Sequence, residues 1–243
     1  MMERLGIIGG SAFLGDATPA DTEVRPIDTE RGEVHLHVGP TFVFLRRHGH
    51  EGYRPPHRIP HHAHALALHA LGVRRVVGLC SVGALHAELR PGTVVVPEDY
   101  LSFHAPPTFA GDERLHIVPR LDTGLRRVLV QVARTTKGPV HDGGVYGETP
   151  GPRFETRAEI RLLADYADIV GMTAASEATL LQEKGIRYGI LGIVDNFAHG
   201  IDVRPLTLEA FDRQVEANGV RARGILDALI EWSRTVAAGE TNG

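Results

Sequence analysis

The chain has 243 residues, of which 23% are charged, and a formal net charge of −4. That length fits one α/β domain spanning 1–243 better than two small ones, and it can bury a large core. The charge balance gives no basic field for nucleic acid and no polybasic membrane patch, so the expected partner is a small molecule.

Cys80 is the single cysteine. It excludes an internal disulfide, and its place in an apolar run suits a reducing compartment. No apolar stretch reaches membrane-spanning length and the first ten residues lack a signal-peptide pattern, so the chain reads as cytoplasmic.

Residues 5–8 read as a buried strand running into Gly9-Gly10-Ser11. Paired glycines let backbone N–H groups approach an anion, and Ser11 adds a hydroxyl. The Gly-x-Gly-x-x-Gly spacing of a dinucleotide site is missing. Strands at 34–38 and 41–46, joined by Gly39-Pro40, predict a hairpin that delivers Arg47 and His48 to a strand end. A guanidinium there can grip two oxygens of a phosphate at once.

His57, His61, His62, His64 and His69 follow closely, and their number raises a competing reading, a His-rich metal-dependent hydrolase. Against it, the stretch 60–71 reads as a helix with Ala63, Leu66, Ala67 and Ala70 inward, and no adjacent Asp or Glu completes a metal site.

A buried strand at 73–80 ends in Ser81-Val82-Gly83-Ala84. Small residues at the C-terminal end of a strand are where open α/β sheets bind ligands, and Ser81 is a candidate phosphate donor. The stretch 89–97 reads as a turn and a strand, and 102–112 as a long loop suited to a lid or subunit contact.

A helix is expected at 122–135, with Leu125, Val128, Leu129 and Val132 on one face, and a strand beginning near 143 leads into Gly151-Pro152-Arg153-Phe154-Glu155-Thr156-Arg157. Here an aromatic ring and a carboxylate stand side by side at a helix mouth, suited to a heterocycle with a ring N–H. Helices at 157–167 and 174–184 flank a short strand at 168–171. A strand at 187–194 delivers Asn196, and a final helix covers 207–235. Strands alternating with helices argue a single α/β domain.

Taken in order, these pieces resemble the trimeric purine nucleoside phosphorylase and methylthioadenosine phosphorylase family. The motifs are Gly6-Ile7-Ile8-Gly9-Gly10-Ser11, Arg47-His48-Gly49, Ser81-Val82-Gly83-Ala84-Leu85 with Arg90-Pro91-Gly92, the 151–159 segment, Gly171-Met172-Thr173, and the strand into Asn196. The resemblance covers nearly the whole chain. It implies a mixed, distorted sheet partly closed into a barrel and flanked by helices. It also implies a homotrimer, or a dimer of trimers, with active sites near subunit interfaces.

By resemblance, phosphate falls to Ser11, Arg47, His48, Cys80, Ser81 and Thr173, and the ribose to Met172. Phe154 would pack on the purine, Glu155 would receive the N1–H, and Asn196 would engage N7 and O6. Inorganic phosphate is then a co-substrate, and neither a cofactor nor a metal is implied. Asn196, Glu155 and His48 carry the expected catalysis.

Hypoxanthine and guanine carry a hydrogen on N1 that suits Glu155, whereas adenine presents a lone pair. The adenine-cleaving branch typically has Ser and Asp where Glu155 and Asn196 stand. The expected reaction is therefore phosphorolysis of a 6-oxopurine nucleoside, 5′-methylthioinosine or an inosine/guanosine type. Methylthioadenosine is the alternative should Asp195 face the base. Residues 206–232 contain no histidine, and Phe211 and Val215 are available there for an apolar 5′ group. Two departures stand out: Cys80 where the family has a hydroxyl, and Ala175-Ser176-Glu177 in place of Val-Pro-Glu.

Overall fold

The fold is that of a computed structural model describing residues 3–14, 18–112 and 114–241. Among these residues an 11-stranded mixed sheet lies at the centre. Strand β1 (Leu5–Gly9) runs parallel between β4 (Phe42–Arg46) and β5 (Arg75–Ala84). On its other edge β5 pairs in parallel with β11 (Arg187–Phe197).

Strand β10 (Ile169–Gly171) lies antiparallel to the end of β5 and parallel to β9 (Val145–Glu148), which pairs in turn with β7 (Asp99–Ser102). Beyond β4 come β3 (Val34–Val38) and β2 (Glu23–Ile27), both antiparallel. Strand β6 (Val94–Val96) pairs with β11, and β8 (Val140–Asp142) with β6. Among the described residues the main path is open at β2 and β7, and β11, β6 and β8 branch from β5. The whole is a single-domain α/β fold.

One feature of this sheet creates the site. The same edge of β5 pairs first with β1, as far as Leu79 opposite Gly9, and then with β10 from Gly83 opposite Val170. Cys80, Ser81 and Val82 lie between the two partners, where the sheet forks. A strand buried on both faces explains the near-continuous apolar run of β5.

Its even residues Val76, Cys80 and Val82 pack with α1 (His61–Ala70) and α4 (Ala174–Glu183). Its odd residues Val77 and Leu79 pack with α2 (Thr123–Thr135) and α5 (Leu208–Thr241). Helix α3 (Arg157–Ala164) starts at a capping box formed by Thr156 and Glu159 and covers β10 through Ile160 and Leu163.

The expected strands and helices are present, with three additions. Strand β2 is exposed along most of its length and contains Pro26, so it shows no alternation and sits at an edge. Strands β7 and β8 are four and three residues long, too short for a periodic signal. Strand β11 continues through a bulge to Phe197, past the expected end at 194.

The inward stripe of α1 also differs from expectation. Ala63, His64, Ala65, Ala67 and Leu68 are buried, whereas Leu66 is half-buried and Ala70 exposed. Helix α1 is packed against both β3 and α4, so its buried face is wider than a single stripe. No helix among the described residues is long and apolar enough to cross a membrane.

Candidate active site

A cavity of about 180 Å³ opens at the fork. Its polar end is formed by Ser11, Arg47, His48, Ser81 and Thr173, and its other end by Phe154, Glu155, Met172, Asn196 and Phe211. Ten residues placed at the site by sequence thus come together from β1, β4, β5, β10, β11, α5 and the 150–156 segment.

Arg47 is 1% exposed, and most of its donors are already committed. Its Nε and Nη2 donate to the two carboxylate oxygens of Glu177 at 2.6 and 3.0 Å, Nη1 donates to the Leu79 carbonyl at 2.8 Å, and Nη2 also reaches Cys80 Sγ at 3.4 Å. The two-oxygen grip expected for phosphate is therefore used on Glu177. What remains for the cavity is the buried positive charge and an N–H on Nη1. Burial opposes this charge, while Cys80 and Glu177 raise the guanidinium pKa. Tyr188 donates to Glu177 Oε2 at 2.5 Å and completes the anchor. Gly10 serves this packing, since a Cβ there would collide with the Arg47 guanidinium.

His48 is buried, and its Nδ1 lies 2.9 Å from the Arg54 carbonyl. A carbonyl only accepts, so Nδ1 carries the proton and Nε2 holds a lone pair. Burial lowers its pKa to about 4, against a raising effect from the Arg54 hydrogen bond. His48 is thus a neutral acceptor at physiological pH. Tyr53 stacks on it, with ring centroids 5.4 Å apart, and also lines the cavity.

Cys80 corrects the sequence reading. It does not line the cavity: strand alternation turns its side chain to the α1 and α4 face while Ser81 points the other way. Burial pushes its thiol up to about 11, so it is an uncharged acceptor for Arg47. The Ser81 hydroxyl reaches the cavity but donates in a short hydrogen bond to Asp195.

Thr173, the N-cap of α4, makes no side-chain capping bond and lines the cavity. The amides behind it are taken. Those of Thr173 and Ala174 donate to Tyr146 Oη at 3.2 and 3.3 Å, and that of Ala175 to Glu148 at 2.6 Å. Ser176 donates to the same carboxylate through its amide and, at 2.5 Å, its hydroxyl. It thereby holds Glu148 at the positive end of α4.

At the other end Glu155 is 6% exposed, and Thr149 donates to its Oε1 at 2.5 Å, leaving Oε2 for a ligand. His199 Nδ1 lies 3.0 Å from the Glu155 carbonyl, which makes His199 a support for the segment. Phe154 meets Phe211 edge to face, with centroids 5.9 Å apart.

The bulge in β11 falls between Val194 and Asn196 and separates the two neighbours. Asn196 faces the cavity and donates to the Phe197 carbonyl at 2.8 Å, with Gly83 leaving room for its amide. Asp195 turns towards α5, where Asn218 Nδ2 donates to its Oδ1 at 2.7 Å.

Val215 does not line the cavity. Only the first turn of α5 reaches the rim, and Leu208 stands there with Phe211. The histidines of 57–69 are dispersed: His57 is exposed, His62 bonds the Thr108 carbonyl, and His64 is buried, with its pKa lowered to about 3 by desolvation. Among the described residues no group of three or more His, Cys, Asp or Glu is placed to hold a metal ion.

The family model described as the phosphorylase superfamily matches residues 4–231. The chain belongs to the phosphorylase superfamily. It is a pentosyltransferase of the purine nucleoside phosphorylase kind. This phosphorylase is 39% identical to a probable 6-oxopurine nucleoside phosphorylase of Archaeoglobus fulgidus, over 96% of this chain and 98% of that one. It is 36% identical to an S-methyl-5′-thioadenosine phosphorylase of Pyrococcus furiosus, over 94% and 92%. To a probable S-methyl-5′-thioinosine phosphorylase of Methanosarcina acetivorans it is 34% identical, over 85% and 81%.

Among solved structures, methylthioadenosine phosphorylase from Schistosoma mansoni in complex with adenine superposes with a TM-score of 0.81. Identity there is 28%, covering 98% of this phosphorylase and 96% of that chain.

Sequence reasoning missed Tyr53, Leu208 and the role of Glu177. Of these only Glu177 left a signal, a carboxylate in a stretch, 174–181, otherwise made of small and apolar residues. Tyr53 sits in a loop without periodicity, and Leu208 at the very start of α5.

Proposed function

We propose that the enzyme cleaves a 6-oxopurine nucleoside by phosphorolysis, releasing the free base and ribose 1-phosphate or its 5-methylthio analogue. The observation that carries this reading is that Glu155 and Asn196 face one cavity while Asp195 is turned out of it. A carboxylate acceptor for N1–H, with a donor and acceptor pair for O6 and N7–H, matches hypoxanthine or guanine and mismatches adenine.

In the reaction a phosphate oxygen forms the new bond to C1′ as the C1′–N9 bond breaks, and the electron pair leaves with the purine. Positive charge builds on the ribosyl ring and negative charge on the base. Phosphate held between Ser11, Ser81 and Thr173, over the buried Arg47 charge, offsets the first. Asn196 Oδ1, accepting from a protonated N7, offsets the second, and it acts most strongly as the bond breaks. Neutral His48 accepts from a phosphate or sugar hydroxyl.

Phe211 and Leu208 at the rim favour an apolar 5′ substituent, hence 5′-methylthioinosine over inosine. Assembly as a homotrimer, a cytoplasmic location and a place in purine salvage belong to the same reading. The test is release of free base from inosine, guanosine and methylthioinosine with and without phosphate. Turnover that requires phosphate is expected, and turnover indifferent to phosphate defeats the proposal.

A further inference from the structure

Asp195 plays no part in the reaction just described, yet it is 4% exposed and only one side chain away from the phosphate end of the cavity. The β11 bulge points it at two partners. Asn218 Nδ2 donates both to the Val194 carbonyl at 3.1 Å and to Asp195 Oδ1 at 2.7 Å. Because that nitrogen serves a backbone carbonyl, the Asn218 amide is fixed in orientation, and Asp195 Oδ1 can only accept. Any proton on Asp195 therefore sits on Oδ2, the oxygen in contact with Ser81 Oγ.

The two protonation states leave Ser81 in opposite roles. With Asp195 ionised, the Ser81 hydrogen points at Oδ2 and the hydroxyl offers the cavity only lone pairs, which repel a phosphate oxygen. With Asp195 protonated, Oδ2–H donates to Ser81 Oγ, and the Ser81 hydrogen is free to donate to phosphate.

We propose that Asp195 is a positioning residue that acts through Ser81, so that phosphate binding at this site takes up a proton at Asp195 and turns the Ser81 hydroxyl into a donor. The inference rests on the phosphorylase reading above. Desolvation raises the Asp195 carboxyl to about 7, against a lowering hydrogen bond from Asn218, so the two states exchange in the working range. A second cavity borders Asp195 on its α5 side and gives the proton a route to water. The charged groups facing that cavity are Asp202 and Arg204, paired with each other at 2.6 Å, and Arg213 of α5. Arg221, also on α5, is bound to the Gly92 carbonyl nearby.

The test compares the wild-type enzyme with Asp195→Asn, whose amide donates permanently to Ser81 Oγ while its carbonyl keeps the Asn218 bond. Taking the ratio of the two enzymes at each pH cancels the titration of phosphate itself. The KM for phosphate of the variant relative to wild type should fall roughly tenfold between pH 6 and pH 9, the worth of one hydrogen bond to a charged group. The KM for nucleoside should not follow this change.

Calorimetric binding of inorganic phosphate in two buffers of different ionisation enthalpy should show proton uptake at pH 8 in wild type, beyond any seen with Asp195→Asn. Ser81→Ala should abolish the extra uptake and provides the test should Asp195→Asn fail to fold. Parallel pH profiles, or equal proton uptake with and without Ser81, overturn the inference. Absence of phosphate-dependent turnover by wild type at every pH instead defeats the phosphorylase reading.

Discussion

The two ends of the cavity are built on different principles. The phosphate end comes from strand ends at the fork of the sheet and rests on a buried lattice in which Arg47, Glu177, Tyr188 and Cys80 satisfy one another. The base end comes from the 150–155 segment, a bulge in β11 and the first turn of α5, steadied by single bonds such as Thr149 to Glu155 and His199 to the Glu155 carbonyl. In the proposed reaction the first end holds phosphate and the second selects among bases. Selection is placed where one substitution alters a contact without disturbing the core.

If that division holds, substitutions at the base end change preference and those at the phosphate end change folding and phosphate use together. Glu155→Ala should carry the largest effect, a loss on the order of 10⁴ in discrimination between inosine and adenosine, read as the ratio of their kcat/KM values. Equal losses for both bases would make Glu155 a structural residue.

Arg47→Ala leaves Glu177 buried without its cation and should cost about 3–5 kcal/mol of stability by denaturant titration. It should also weaken phosphate use with every nucleoside. Asn196→Ala should lower kcat by roughly 10²–10³ for inosine and guanosine alike, as for loss of one donor or acceptor at developing charge.

A smaller effect separates the rim from the helix behind it. Phe211→Ala should raise the KM for methylthioinosine by about tenfold, given the ~1–3 kcal/mol of an apolar contact in a pocket. Val215→Ala, one turn further along α5, should change it by less than about twofold.

A further signal is in stability against pH. Asp195 has its carboxyl raised in the fold from 3.8 to about 7, so the native state holds the extra proton between those values. Its favourable contribution is complete below about pH 3.8 and is lost as pH rises towards 7. Urea midpoints of wild type relative to Asp195→Asn should therefore fall from pH 5 to pH 8. His48, lowered in the fold from 6.5 to about 4, makes both proteins less stable as pH falls below 6.5, and the comparison with Asp195→Asn cancels that contribution.

The central strands and helices were legible because β5 and β11 are long apolar runs and α2 has a clear face. Ser11, Arg47, His48, Ser81, Phe154, Glu155, Met172, Thr173 and Asn196 were legible as cavity residues because each stands at a strand end or helix mouth in a recognisable motif, and Phe211 because it is an apolar residue of a C-terminal helix without histidine. What they do there was less so. That Arg47 is spent mainly on Glu177 depends on a partner 130 residues away, and sequence spacing carries no such pairing. The family resemblance alone put Cys80 on phosphate, but the period of a strand sends it to the opposite face from Ser81. Asp195 and Asn196 could not be told apart beforehand, because a bulge decides which of them reaches the cavity. The role of Ser176 was hidden for a similar reason, since its hydroxyl matters only once Glu148 lies beside it.

The most direct measurement is a panel of inosine, guanosine, 5′-methylthioinosine, adenosine and 5′-methylthioadenosine, each incubated with phosphate and assayed for free base. Efficient release of hypoxanthine or guanine, with adenine release lower by several orders of magnitude, is the expected result. Efficient cleavage of methylthioadenosine with none of methylthioinosine would contradict the role assigned to Glu155 and Asn196.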